Sequence, residues 1–200
     1  MATKKNDWKD RLNIVYSTNP NFEYSTDEME EIETLPKQQQ KLRVSIEKNH
    51  RGSKTVEELA EIAKIAEVPF ILKGIMTVKG ALKALEAGAS AIVVSNHGGR
   101  VLDQCPSTAE VLPAIVDAVG GKMTVLVDGG IRSGMDVFKA LALGADGVLI
   151  GRPFVNMIYG AGAEGVQVYV DKLQAELADT MAMCGAHSID EISRDMIFGF

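Results

Sequence analysis

The sequence predicts an α/β fold: four βα units in series behind a polar N-terminal segment. Three observations predict it. The stretch Lys83–Ser95 recurs as Lys139–Gly151 at an offset of 56 residues, and the likeness reaches back to Gly74-Ile75 and Gly130-Ile131. Four short β-branched apolar runs do not alternate with polar residues, as expected of parallel strands buried on both faces. Gly88 and Gly144 follow helical spacing at the point where a helix end favours a positive φ.

The elements follow in order. Residues 1–54 carry ten Lys/Arg against nine Asp/Glu and no apolar run, whereas 55–200 carry eleven against eighteen and are rich in Ala, Gly, Val, Ile and Leu. The boundary falls between Arg51 and Val56. Asp27–Glu33 holds five acidic residues and only Met29 and Ile32 as apolar anchors. That is too little burial to offset ordering entropy, so a partly disordered arm is expected to about Pro36, with one strand at Lys41–Glu47. A helix over Val56–Ala66 then leads into a strand at Phe70–Leu72. Helices at Val78–Ala87, Thr108–Val119 and Met135–Leu143 alternate with strands at Ala91–Val94, Thr124–Val127 and Val148–Ile150. A longer helix covers Ala163–Met183. Lys, His, Asp, Arg and Gly just beyond the strands mark the catalytic face of a barrel. A closed (β/α)8 barrel takes about 250 residues. Four units therefore mean half a barrel, an open parallel sheet, or a barrel completed by another chain.

The 200 residues are 46% hydrophobic and 24% charged, as in an ordinary globular chain. No apolar stretch approaches the ~18 residues of a membrane span. Met1–Lys9 lacks the apolar core of a secretory signal, so a cytoplasmic protein is expected. Cys105 and Cys184 lack Cys-x-x-Cys spacing and read as reduced thiols, with no metal site. The acidic larger part disfavours nucleic acid, except through the N-terminal arm.

Four places could carry chemistry. Lys73 at the end of the first strand is either a fixed cation for a cofactor or substrate, or a solvated strand-end lysine. In Ser95-Asn96-His97-Gly98-Gly99-Arg100, His97 suits a general base near neutral pH, and Arg100 offers a planar fork for a carboxylate. The alternative is a loop with a hydrogen-bonded histidine. Asp128-Gly129-Gly130-Ile131-Arg132-Ser133-Gly134 follows the third strand and opens a helix, which favours an anion. Gly151-Arg152-Pro153 follows the fourth. Two successive glycine–arginine loops point to a phosphate cradle. His187 reads as an exposed cap residue, and His50 lies in a basic run.

Taken together, Leu72-Lys73-Gly74-Ile75, Ser95 through Arg100 with Leu102-Asp103, Asp128 through Gly134 with Asp136–Leu141, and Ile150-Gly151-Arg152-Pro153 resemble the FMN-dependent α-hydroxy-acid oxidase and dehydrogenase family. That family includes glycolate oxidase, lactate oxidase and mandelate dehydrogenase. The resemblance covers about residues 55–200. It implies strands five to eight of an FMN-binding TIM-type barrel. His97 is then the base acting on the 2-hydroxy acid, and Arg100 holds its carboxylate. Lys73 sits by the flavin's pyrimidine edge, with Ser95 near the flavin. Asp128, Gly129, Gly130, Ile131 and Arg132 hold the ribityl chain and phosphate, and Gly151 and Arg152 complete the phosphate site.

Nothing in residues 1–54 matches the family's first four units, which supply substrate-site tyrosines, a second arginine and the aspartate that orients the histidine. Instead Asn6–Arg11, Thr34–Val44 and Lys48–Val56 resemble the start of the small bacterial initiation factor of start-codon selection. The two resemblances meet at Lys54-Thr55-Val56. The expected function is FMN-dependent oxidation of a small 2-hydroxy acid to the 2-oxo acid, impaired in this chain, with a homo-oligomer expected. The alternatives are a non-catalytic flavin- or phosphate-binding half barrel, and a ribosome- or RNA-binding fragment acting through the arm.

Overall fold

The computed structural model describes residues 55–66 and 68–199. The polar segment 1–54, with the strand expected at Lys41–Glu47, lies outside the described residues. The chain divides into two compact units, Met1–Glu67 and Val68–Phe200. In the first, helix α1 spans Val56–Ala66, the bounds expected from sequence. Its start is closed reciprocally. Glu58 N–H donates to Thr55 Oγ1 at 3.2 Å, and Thr55 N–H donates to Glu58 Oε2 at 2.8 Å.

The second unit runs β1 (Ile71–Ile75), α2 (Val78–Glu86), β2 (Ala91–Val94), α3 (Thr108–Val119), β3 (Thr124–Asp128), α4 (Gly134–Ala142), β4 (Gly147–Leu149) and α5 (Arg152–Cys184). The strands form one parallel sheet in the order β1-β2-β3-β4, each crossing to its neighbour through a helix. The helices start where short polar side chains cap them. Thr77 accepts from Gly80 N–H at α2, and Ser107–Glu110 and Ser133–Asp136 form capping boxes at α3 and α4.

The sequence repeat is structural. Gly88 and Gly144 both turn at positive φ, +81° and +98°. Ala89 N–H bonds Ala84 O at 3.0 Å, and Ala145 N–H bonds Ala140 O at 3.1 Å. These are equivalent helix closures in the two copies.

Side chains two apart share a face of a strand, so the register sorts the sheet into two faces. Leu72, Ile92, Val94, Val125, Val127 and Val148 meet Ala81, Ala84, Leu112, Ile115, Val119, Ala140 and Leu143 of the helical layer in the core. Ile71, Lys73, Ala91, Val93, Thr124, Leu126, Asp128, Gly147 and Leu149 share the other face and stand outside that core. On it Ile71 and Leu149 are 47% and 39% exposed.

Helix α5 departs from expectation. It begins at Arg152, immediately after Gly151, with Pro153 in its first turn. A kink at Ala161–Gly162, where Gly162 adopts φ 58° and ψ −134°, separates a short helix, 152–160, from the long one. The glycines around 160–162 break the apolar periodicity, which is why the sequence pattern shows a helix only from Ala163. Beyond α5, Arg194 pairs with Asp117 at 3.0 Å and ties the C-terminal segment to α3.

Candidate functional site

The residues singled out from sequence lie at or just beyond the C-terminal ends of β1–β4. Three come together directly. Lys73 Nζ donates to Ser95 Oγ at 2.7 Å and pairs with Asp128 Oδ2 at 2.7 Å. One lysine therefore joins the ends of three neighbouring strands. Ser95 is wholly buried and also accepts from His97 N–H at 3.1 Å. Thr108 Oγ1 donates to the Asp128 carbonyl at 2.7 Å. Asp128 Oδ1 is buried without a hydrogen-bond partner. Such an oxygen costs about 1–3 kcal/mol unless a donor meets it, so it marks a place for a ligand's hydroxyl or N–H group.

Backbone geometry sets the histidine. After β2 the chain makes a single 3-10 turn, His97–Gly99, in which His97, Gly98 and Gly99 have φ of 55°, 68° and 73°. A left-handed histidine is strained, and such strain concentrates at functional sites. Asn96 Oδ1 accepts from Gly98 N–H at 3.0 Å and holds the turn. On β1 the register slips at Gly74 (φ +99°), and a Cβ there would lie 2.5 Å from His97 Cε1. The imidazole is packed against a backbone that has room for glycine alone. His97 and Arg100 are both exposed.

The two glycine–arginine loops lie beside this turn. Gly129 and Gly130 take φ of 93° and 80°. Arg132 and Ser133 donate their N–H groups to Asp136 Oδ2, both at 3.0 Å. Gly151 opens α5 without a side-chain cap. Pro153 has no N–H, and those of Phe154 and Val155 bond the Gly151 carbonyl. An anion here would meet the Arg152 guanidinium and the backbone ahead of Pro153. Arg152 reaches back over the histidine turn, its Nη2 2.8 Å from where a Gly98 Cβ would stand.

Several supporting residues escaped the sequence reading. Thr108 and Asn96 fix the Asp128 and His97 loops, and nothing in their local pattern announces it. Glu176 Oε2 accepts from Gly134 N–H at 2.8 Å, where α4 meets α5 so closely that a Cβ on Gly134 would strike the Leu173 and Leu177 backbone. Its hydrogen bond from Lys172, then the one from Gly134, holds the Glu176 carboxyl below the usual glutamate value. Tyr169 donates its hydroxyl to the Arg132 carbonyl at 2.8 Å, and burial raises its phenol pKa, keeping it a donor. Among the described residues, no helix is long and apolar enough to cross a membrane.

The family model described as FMN-dependent dehydrogenase matches residues 2–198, a span that takes in the segment read as initiation-factor-like. The chain is 50% identical over 136 residues to a peroxisomal (S)-2-hydroxyacid oxidase of Arabidopsis thaliana, covering 68% of this chain and 38% of that protein. It is 46% identical over 146 residues to the L-lactate oxidase of Roseobacter sp. (strain GAI101), covering 73% and 40%. A crystal structure of mandelate oxidase matches with a TM-score of 0.68 at 45% identity, over 72% of this chain and 43% of that one. The chain thus spans about two fifths of the length of these curated relatives. The four parallel units correspond to half of a (β/α)8 barrel.

Proposed function

The chain belongs to the FMN-dependent dehydrogenase family, and from that membership we propose that it binds FMN at the C-terminal ends of its strands and serves the oxidation of a small 2-hydroxy acid to the 2-oxo acid. The observation that carries this reading is the Lys73–Ser95–Asp128 cluster, with its two 2.7 Å contacts and its unmatched Asp128 Oδ1. A ribityl hydroxyl is a donor of the kind that oxygen lacks. In this reading the Lys73 ammonium faces the flavin's pyrimidine edge beside Ser95. Gly129, Gly130, Ile131 and Arg132 hold the ribityl chain and phosphate, with Gly151 and Arg152 closing the phosphate site. FMN, when bound, supplies the two-electron acceptor. His97 takes a proton from the substrate at an imidazole nitrogen, and Arg100 holds the substrate carboxylate.

Titration with FMN tests the reading. Saturable quenching of flavin fluorescence is expected, weakened by Arg152→Ala, and an absence of binding at millimolar FMN would overturn it. Anaerobic mixing of the loaded protein with glycolate, lactate or mandelate should bleach the flavin, and His97→Ala should abolish the bleaching.

One observation favours a second reading, flavin binding with slow turnover. Among the described residues, the His97 imidazole has no carboxylate partner to orient it. The rate of bleaching separates the two. Assembly with further copies and a reducing, cytoplasmic setting extend the proposal. They are supported by the exposed Ile71 and Leu149 and by the free thiols of Cys105 and Cys184.

A further inference from the structure

We propose that Tyr169 is a positioning residue that braces the two halves of the phosphate cradle against each other. The inference rests on the flavin reading above and deepens it.

Tyr169 is 6% exposed, on the long part of α5. Its hydroxyl donates to the Arg132 carbonyl at 2.8 Å. Its ring meets that of Phe154 edge-on, with centroids 5.0 Å apart at 77°. Phe154 stands two residues beyond Arg152, and its N–H bonds the Gly151 carbonyl at 3.0 Å. One side chain therefore touches the loop that carries Arg132 and the helical turn that carries Arg152.

The kink makes this contact possible. At Ala161–Gly162 the short helix ends and the chain turns, so residues from 165 onward meet residues 154–157. Gly165 lies against the Met157 carbonyl with no space for a Cβ. That close approach brings the Tyr169 ring to Phe154.

The hydroxyl completes a lock on the Arg132–Ser133 peptide. Asp136 Oδ2 takes the N–H groups of Arg132 and Ser133, and Tyr169 takes the carbonyl between them. A peptide held from both sides cannot rotate, so the Gly130–Arg132 loop keeps the direction in which it presents its groups. A buried tyrosine needs some partner for its hydroxyl whatever its role. A bracing role differs in that loss of the hydroxyl is felt specifically at the phosphate.

Tyr169→Phe keeps the ring and its contact with Phe154 and removes only the O–H. In the FMN-free protein, hydrogen exchange at the amides of residues 132–134 should quicken roughly five-fold, the effect of one neutral hydrogen bond, while α2 and β2 stay unchanged. In titrations the FMN dissociation constant should rise roughly five-fold while that of riboflavin, which lacks the phosphate, stays the same. Unchanged exchange in the loop would overturn the proposal. So would an equal loss of affinity for FMN and riboflavin, or no loss for FMN. A wild-type protein that binds no FMN would remove the flavin reading instead, and the exchange comparison would still decide the brace.

Discussion

Gly74→Ala tests how β1 and the histidine turn are fitted together. The register slips here, Lys73 pairing with Val93 and Ile75 with Val94. The slip sends Ile75 into the core while Lys73 faces the site. An alanine meets two obstacles. The backbone sits at φ +99°, which costs a residue with a Cβ about 1–2 kcal/mol. The new Cβ would stand 2.5 Å from His97 Cε1, against 3.4–4 Å for ordinary contact, so the ring must retreat by about 1 Å. The retreat is taken up in a turn already at φ 55°, so part of the strain stays in the fold. We expect a net loss of about 2–3 kcal/mol, which for a urea m-value of about 2 kcal/mol/M lowers the unfolding midpoint by about 1–1.5 M. Urea unfolding followed by circular dichroism measures the first effect. The NMR resonance of the His97 Hε1 proton, which faces Gly74, reports the second. Where turnover is measurable, a 1 Å displacement of this group costs about 100-fold. An unchanged midpoint, or an unmoved His97 resonance, would refute the reasoning.

Three further outcomes are expected. Phe138, 2% exposed and the largest wholly buried side chain among the described residues, should cost about 3–5 kcal/mol when truncated to alanine; a loss below about 1 kcal/mol in urea would mean the α4 layer is not packed as described. Glu176 has a carboxyl pKa held below its ordinary value of 4.5 by Lys172 and Gly134, so its stabilisation is present above that value and fades as pH falls through the lower, folded one. The Tm deficit of Glu176→Gln should accordingly be constant near neutral pH and shrink in acid, and a deficit that does not diminish as the pH is lowered below 4.5 would contradict the linkage. The sheet face bearing Ile71 and Leu149, 47% and 39% exposed, should drive self-association that Ile71→Lys weakens; a monodisperse monomer in sedimentation velocity at high concentration would rule this out.

Much of the fold was legible because its signals are local. Thr108–Val119 and Ala91–Val94 have the bounds their sequence pattern predicts, and the helix and strand pairs of the repeat, α2–β2 and α4–β4, fall 56 residues apart as their letters do. Strand β1 ran past the predicted end at Leu72 because a bulge at Gly74 carries pairing through a lysine and a glycine, which periodicity reads as a stop. The short helix at 152–160 was missed for a similar reason, since its apolar residues serve no continuous stripe. Val155, Ile158 and Tyr159 are 48%, 55% and 89% exposed. The site residues were visible as letters at strand ends. Their supports were not, because Thr108, Tyr169 and Glu176 act on segments 20, 37 and 42 residues away. Contacts at that separation leave no trace in a single sequence.

Lys73 gives the site its unity. From it one polar path runs through Ser95 Oγ to the His97 backbone, and another runs to Asp128, whose carbonyl is held by Thr108. The histidine turn and the loop leading to Arg132 are thus fastened to the same ammonium. Its neutralising partner, Asp128, uses one oxygen for the lysine and leaves the other unmatched. A hydroxyl bonded to that oxygen would sit beside the cation and at the start of the loop that leads to Arg132. Each device here is cheap alone: a bulged glycine, a left-handed histidine, a tyrosine on a carbonyl. Their value lies in sharing partners, because a group held by neighbours that also hold the next loop cannot drift without moving it.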